Sequence, residues 1–228
     1  MTGTYKINYN YWQKNYYSPN VESFIFRLHS KLLSKYLIKK KLIRILDFGC
    51  GQGSNLHYFY KTFDFIPYGV DISKKAIETC KKKIFKYKNN FKLIDPIPSS
   101  NNFFFKNLKF DIIIASQSLY YLDNSNLETV LRNFNLQLKD NGLVFFTMVS
   151  KKSFFWKYSS RKNVNKNGMT RVKLRKNTFN YFNFVNSKKD LTKKFKIFKP
   201  LNIGYYDLSL TSTKISRHHY IFFGKKFI

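Results

Sequence analysis

Acid is what this sequence has least of. Twelve Asp and Glu residues stand against 42 Lys and Arg in 228, a formal net charge of +30, and glutamate occurs only as Glu22, Glu78 and Glu128. A drift toward A/T-rich codons accounts for part of the Lys, Asn, Ile, Phe and Tyr excess, but glutamate also has an A/T-rich codon. The deficit leaves two readings open. One is a merely solvated basic surface; the other is an anionic partner such as RNA, a phosphorylated substrate or an anionic membrane surface. Cysteine is nearly absent as well. Cys50 and Cys80 are the only two, too few for a disulfide framework or a cysteine-rich metal cluster. No run of 18 apolar residues occurs, so no transmembrane helix is expected. Met1 to Lys6 lacks the charged-then-apolar order of a signal peptide. The expectation is a cytoplasmic, reduced protein with one core of ordinary size.

What is present is concentrated in one stretch, Leu42-Ile43-Arg44-Ile45-Leu46-Asp47-Phe48-Gly49-Cys50-Gly51-Gln52-Gly53-Ser54. An aliphatic run closes on an acid, then on three glycines at alternate positions, then on a helical pattern. This reads as a buried strand emptying through a tight turn into a helix N-terminus. Glycines there permit positive φ and let a ligand approach the main chain without a Cβ in the way. The dinucleotide fingerprint is G-x-G-x-x-G; here Ser54 stands where its third glycine would fall. A pyrophosphate wants free N–H groups at a helix N-terminus. A zwitterionic amino-acid tail wants an acid beside the turn, which Asp47 supplies.

Other strands end the same way. Pro67-Tyr68-Gly69-Val70-Asp71 places an acid 24 positions after Asp47, near the offset at which a carboxylate takes a ribose diol; the alternative for Asp71 is an N-cap for the helix near Ser73. Phe91 to Asp95 reads as a third strand. Phe110-Asp111-Ile112-Ile113-Ile114-Ala115 reads as a fully buried parallel strand, followed by Ser116, Gln117, Ser118, Leu119, Tyr120 and Tyr121. In open α/β sheets ligands bind beyond the carboxyl ends of the strands, so Asp47, Asp71, Asp95 and Ser116 converge on one site. Leu138-Lys139-Asp140-Asn141-Gly142 then turns into the apolar strand Leu143–Met148.

These motifs together resemble those of the class I S-adenosylmethionine-dependent methyltransferases, over roughly residues 40–150. The resemblance implies a doubly wound, mostly parallel seven-stranded Rossmann-like sheet, an antiparallel last strand and helices on both faces. It implies S-adenosyl-L-methionine held by Asp47, Gly49, Cys50, Gly51, Gly53, Asp71, Ile72, Asp95, Ser116 and Gln117. Asp71 would take the ribose, Asp95 would lie beside the adenine, and Ser116 and Gln117 would face the methionine end. Residues ahead of the first strand often cover the cofactor in such enzymes, so Tyr11 and Trp12, with Tyr120 and Tyr121, are the candidates for acceptor contact. No residue is singled out as a catalyst, because in-line methyl displacement needs a base only where the acceptor must lose a proton.

The chain then divides into a lead-in and helix over 1–40, acting as a lid, and a methyltransferase domain over 41–228 with a basic insertion at 151–185. The aromatic lead-in with Tyr9, Tyr11, Trp12, Tyr16 and Tyr17 is extended or loosely helical. A helix starts at Asn20 as N-cap with Phe24, Leu28, Leu32 and Tyr36 on one face, and Lys39-Lys40-Lys41 links it to the first strand. Further helices are expected with Leu56, Phe59, Tyr60 and Phe63, over Lys74–Lys86, Asn126–Leu138 and Ser187–Phe195. Phe103 to Phe105 ride on a loop, and Tyr220 to Gly224 forms the last strand. His29 is a packing residue, and His218 with His219 is structural rather than metal-binding.

Two acceptor classes are disfavoured. Ser116-Gln117-Ser118-Leu119 replaces the Asn/Asp-Pro-Pro-aromatic motif of base-amino methyltransferases, and neither cysteine is placed to attack a pyrimidine. A small-molecule or glycan-like acceptor is expected, with RNA as the alternative, since basic residues interleaved with aromatics suit single strands. A non-catalytic or nicotinamide-binding Rossmann-like module is the reading from another class.

Overall fold

The computed structural model describes residues 3–14, 20–37, 42–97, 104–175, 178–207 and 216–227. Tyr16, Tyr17, the lysine triplet at 39–41 and Phe103 lie outside them. Helix α1 (Gly3–Lys14) precedes a second helical segment made of α2 (Ser23–Arg27), a π-helical turn (Leu28–Leu33) and α3 (Ser34–Leu37). Strand β1 (Arg44–Phe48), α4 (Ser54–Phe63), β2 (Ile66–Asp71), α5 (Lys74–Lys83), a 3₁₀ turn (Phe85–Asn90) and β3 (Phe91–Leu93) follow in alternation. Next come β4 (Phe110–Ala115), a 3₁₀ turn (Leu119–Tyr121), α6 (Asn124–Gln137) and β5 (Leu138–Val149). The rest is α7 (Phe154–Lys157), β6 (Ser159–Val164), β7 (Thr170–Arg175), β8 (Thr178–Phe182), α8 (Lys188–Lys194), β9 (Phe198–Tyr206) and β10 (His219–Lys226).

Seven strands form one sheet in the order β3-β2-β1-β4-β5-β10-β9. Strands β3 to β5 along that order pair in parallel, and β10 runs antiparallel to both β5 and β9. The expected doubly wound Rossmann-like sheet is therefore present. Its interior strands are apolar on both faces because helices cover both. Leu46, Val70, Ile113, Val144 and Phe146 pack with α6 and α8 on one side; Ile45, Ile112, Ile114 and Phe145 pack with α4, α5 and the 23–37 segment on the other. Strand order reverses between β1 and β4, and that switch point opens the crevice used below.

Two sequence motifs owe their form to one ion pair. Asp111 is buried, and its Oδ2 accepts from the Lys139 ammonium at 2.8 Å and from the Arg44 backbone N–H at 3.0 Å. Burying a carboxylate is tolerable only with such partners. The Phe-Asp start of β4 and the Leu-Lys-x-x-Gly turn thus lock together beneath the sheet, away from the crevice.

Several boundaries differ from the sequence reading. The lead-in is a full helix over 3–14. Asn20 does not cap the next helix: Glu22 holds that position, without a side-chain cap bond. The π turn adds one residue to the helical repeat, so the inward positions run Leu28, Leu33, Leu37, while Leu32 is half-buried and Tyr36 exposed. Helix α5 ends at Lys83, where Ile84 leaves helical geometry, rather than at Lys86. Helix α6 starts two residues earlier than expected, with Asp123 as its cap, and β3 stops at Leu93, short of Asp95.

The 151–185 stretch contains a separate three-stranded antiparallel sheet, β6-β7-β8. Strand β9 has no counterpart in the sequence reading. Among the described residues no helix is long and apolar enough to cross a membrane.

Candidate active site

A cavity of about 700 Å³ opens at the switch point between β1 and β4, within the roughly 300–1,000 Å³ of small-molecule sites. Its floor is the glycine turn and the loops after β2 and β4. Gly49, Cys50, Gly51, Asp71, Ile72, Asp95, Ser116 and Gln117 all line it. Asp47 and Gly53 do not.

The three glycines serve different ends. All have positive φ, at +74°, +53° and +74°. A Cβ on Gly49 would lie 2.5 Å from Ser118 Cβ, and one on Gly53 would lie 2.3 Å from Cys80 Sγ. Those two are demanded by packing, while Gly51 presents bare backbone to the cavity. Its N–H donates to Asp71 Oδ2 at 2.8 Å, and the Ser73 N–H donates to Oδ1 at 2.8 Å. The cap of α5 is Ser73, whose Oγ accepts from the Ala76 N–H. Asp71 is therefore not that cap; it braces the glycine turn and keeps a carboxylate edge on the cavity, where a diol can donate to it.

Asp47 departs from the direct role expected of it. It is buried behind the turn, 1 % exposed. Its Oδ2 accepts from Asn55 Nδ2 at 3.4 Å, and among the described residues its Oδ1 has no hydrogen-bond partner. Burial holds its carboxyl well above the usual range, with the Asp71 charge adding to the shift and the Asn55 bond opposing it. Asn55 itself lines the cavity, so Asp47 bears on a ligand through that amide. Cys50 and Cys80 are free, buried thiols, and the Cys50 thiol is pushed up by its contact with Cys80 and by burial. Neither is an activated nucleophile.

Beyond β4 the backbone is strained. Gln117 has φ +56°, a conformation costly for a residue with a Cβ and typical of functional sites. Its N–H donates to Thr147 Oγ1 at 2.7 Å, and Ser118 Oγ donates to the Phe48 carbonyl at 2.7 Å. These bonds hold the Ser116–Ser118 loop against β1 and turn it to the cavity.

The roof is α1. Tyr5, Asn8, Tyr9 and Trp12 line the cavity from above the floor. Asn8 Oδ1 accepts from the Tyr181 N–H of β8 at 2.9 Å, and its Nδ2 donates to the Tyr181 carbonyl at 3.1 Å. Tyr5 Oη accepts from the Asp123 N–H at 3.1 Å and from Asn126 Nδ2 at 2.6 Å. Burial pushes this phenol up to about 12. At the other end Gln13 Nε2 donates to the Ile72 carbonyl at 2.8 Å. Trp12 packs edge-on against Tyr121, centroids 5.3 Å apart, and Tyr120 and Tyr121 both line the cavity. Tyr11 does not reach it; it packs edge-on to Trp12 at 5.0 Å.

Sequence reasoning missed Asn8, Asn20, Glu22 and Asn55 as cavity residues. Asn55, the second residue of α4, was the detectable one; nothing local marks the others. The histidines fall outside the site. His29 stacks on Phe63 at 3.4 Å, His218 Nδ1 bonds Ser150 Oγ at 2.8 Å, and His219 Nδ1 donates to the Arg217 carbonyl at 2.9 Å. Burial lowers His219 to about 4. Among the described residues no three His, Cys, Asp or Glu side chains are grouped to hold a metal.

The floor fits the expected nucleoside-bearing donor on its own chemistry: bare backbone at Gly51, a braced carboxylate at Asp71, and an orphaned carboxyl oxygen behind Asn55. Comparison with known proteins agrees. A family model described as a methyltransferase domain matches residues 17–191. A methyltransferase structure from Methanosarcina mazei superposes with TM-score 0.66 at 17 % identity, covering 92 % of this chain and 99 % of that one. The N-methyltransferase NodS from Bradyrhizobium japonicum, in complex with S-adenosyl-L-homocysteine, gives TM-score 0.63 at 15 % identity over 99 % of both chains. These two show the shared fold. An uncharacterized protein of Methanocaldococcus jannaschii is 28 % identical over 168 residues, 70 % of this chain and 59 % of its own length. The chain thus spans about three-fifths of that curated relative.

Proposed function

The chain belongs to the methyltransferase-domain family, and from that premise we propose that it moves a methyl group from S-adenosylmethionine to a small-molecule or glycan-like acceptor. The donor supplies an electrophilic sulfonium methyl and needs no covalent help from the protein. What the chain's own residues contribute is position and enclosure. Asp71 accepts from the ribose hydroxyls, Gly51 lets the donor lie on bare backbone, and Asp95 lies at the adenine end. Ser116 and Gln117 stand at the methionine end. Tyr9 and Trp12 of the roof, with Tyr121, wall the reacting end.

One observation carries the acceptor class. Charge is inverted at the cavity: among the described residues Glu22, Asp71 and Asp95 line it against a single cation, Lys92, in a chain with 42 basic and 12 acidic residues. A phosphate brought within about 4 Å of one such carboxylate meets roughly 4 kcal/mol of repulsion at an effective permittivity near 20. A polyanion is held by the outer surface and kept out of the site. Cationic or neutral small molecules are not.

Methyl transfer from labelled donor at about physiological salt, comparing total RNA with a small-molecule extract, tests this. Label is expected in the small-molecule or glycan fraction and not in RNA. Label in RNA, lost when Lys and Arg of the 151–176 stretch are neutralised, would overturn the acceptor class. Binding of RNA at low salt decides nothing, because a charge of +30 attracts any polyanion.

A further inference from the structure

We propose that the acceptor is an amine, held by Glu22 and the aromatic wall of Trp12 and Tyr121. The inference rests on the methyl-transfer reading and narrows it. Of the three cavity carboxylates, Asp71 is engaged with the Gly51 and Ser73 amides, and Asp95 follows β3 at the donor end of the floor. Glu22 comes from a different layer, the turn that leads into α2, and it lines the same cavity as Asn20 and Trp12. Among the described residues its side chain has no hydrogen-bond or ion-pair partner. Its backbone carbonyl takes the Ile25 N–H at 2.9 Å, which fixes the turn and leaves the carboxylate free to face a ligand. Its charge is felt by the phenols of Tyr120 and Tyr206, both raised chiefly by burial and further by Glu22.

A lone carboxylate in a cavity that tryptophan and tyrosine rings also line is a combination for a cation. The acid supplies charge and accepts N–H bonds, and the rings attract an ammonium through their quadrupoles. A hydroxyl acceptor would gain little from either.

The reaction gains from the same arrangement. The bound ammonium first loses a proton to solvent. The lone pair of the neutral amine then forms the N–C bond as the S–C bond breaks with its electrons going to sulfur. Positive charge moves from sulfur to nitrogen, toward Glu22, so the carboxylate stabilises the transition state relative to the neutral-amine complex, while its hold on the ammonium opposes the deprotonation that precedes it.

The probe is a set of matched pairs sharing one carbon skeleton: butylamine and butanol, cyclohexylamine and cyclohexanol, phenethylamine and 2-phenylethanol. With Trp156→Phe, Trp12 is the sole tryptophan of the two in the chain, and its fluorescence reports binding to protein saturated with S-adenosylhomocysteine. For at least one pair the amine should bind about tenfold or more tighter than the alcohol, the scale of a hydrogen bond to a charged group. Glu22→Gln should bring that pair to within about threefold without altering S-adenosylhomocysteine affinity or the far-UV circular dichroism spectrum. Equal binding within every pair, binding by no amine, or an amine preference that survives Glu22→Gln would each overturn the proposal. Should S-adenosylhomocysteine fail to bind, the methyl-transfer reading falls, and the same titration on unloaded protein still decides the amine site.

Discussion

Floor and roof of the cavity are held by different kinds of contact. The floor is braced by short bonds within and between neighbouring strand ends: Asp71 to the Gly51 and Ser73 amides, and Ser118 to the Phe48 carbonyl. The roof is one helix fastened to partners 118 and 173 positions away, through Tyr5 and Asn8. The floor therefore exists as soon as the sheet does. The roof exists only once α6 and β8 are in place, and it can loosen without the floor noticing. The Gln13 bond to the Ile72 carbonyl is where the two meet.

The most severe test of that contrast lies in the glycine turn. Gly51→Val should reduce S-adenosylhomocysteine affinity by at least about a hundredfold in calorimetry, because the branched side chain enters the cavity at positive φ. It should leave a cooperative melt. Gly53→Val, whose Cβ would overlap Cys80, should instead lose stability. A Gly51→Val protein that binds normally would remove the floor from the donor site altogether.

Next in size is Asp71→Ala. It should weaken S-adenosylhomocysteine by about 1.5–3 kcal/mol, the scale for lost hydrogen bonds to a charged group, with Kd measured in the same way. Unchanged affinity would reduce Asp71 to a brace for the turn.

On the roof, Asn8→Ala removes both bonds to Tyr181 and leaves that backbone pair unsatisfied, at about 1–3 kcal/mol. Amides of α1 should exchange with deuterium roughly tenfold faster, while donor affinity shifts less than about threefold. An equal loss of donor affinity would mean that floor and roof are a single unit.

The smallest effect is that of Tyr5→Phe, near 1 kcal/mol for one hydroxyl. It carries a pH signature. The folded-state phenol lies above its ordinary value of 10, so its contribution is complete below pH 10 and is lost as pH rises toward about 12. Tyr5→Phe should lose less stability than the parent across that window in thermal melts. Parallel curves would show the phenol to be solvated and the roof unlatched at that end.

The same contrast explains what could be read from the sequence. Floor residues follow from local rules, apolar parallel strands ending in acid or glycine at fixed offsets, which point to Gly49, Gly51 and Asp71; Ile72, Ser116 and Gln117 came with the family resemblance, and all six line the cavity. Asp47 misled because its type and place are right for a ligand contact, yet one residue of strand alternation turns it behind the turn. Roof residues obey no local rule. Nothing in the weakly amphipathic lead-in distinguishes Asn8 from Asn10, and only the docked β8 edge selects it. The π turn inserts a register shift that a 3.6-residue period cannot show, so the period points Leu32 and Tyr36 inward where the structure buries Leu33 and Leu37. Strand β9 escaped because it is an edge strand containing Pro200 and Gly204, tolerated only where one side of the ladder is free.

Strand β10 enters the sheet between β5 and β9, although it follows both in the chain. During synthesis the outer rim of β5, with Phe145, Phe146 and Met148, therefore stays unpaired until the chain beyond Tyr206 has been made. At about 5–20 residues per second, the interval from Val149 to Lys226 is on the order of ten seconds. Through that interval a nascent chain displays an aromatic-rich, hydrogen-bond-hungry edge to every neighbour on the polysome. A net charge of +30 sets such open-edged chains to repel one another.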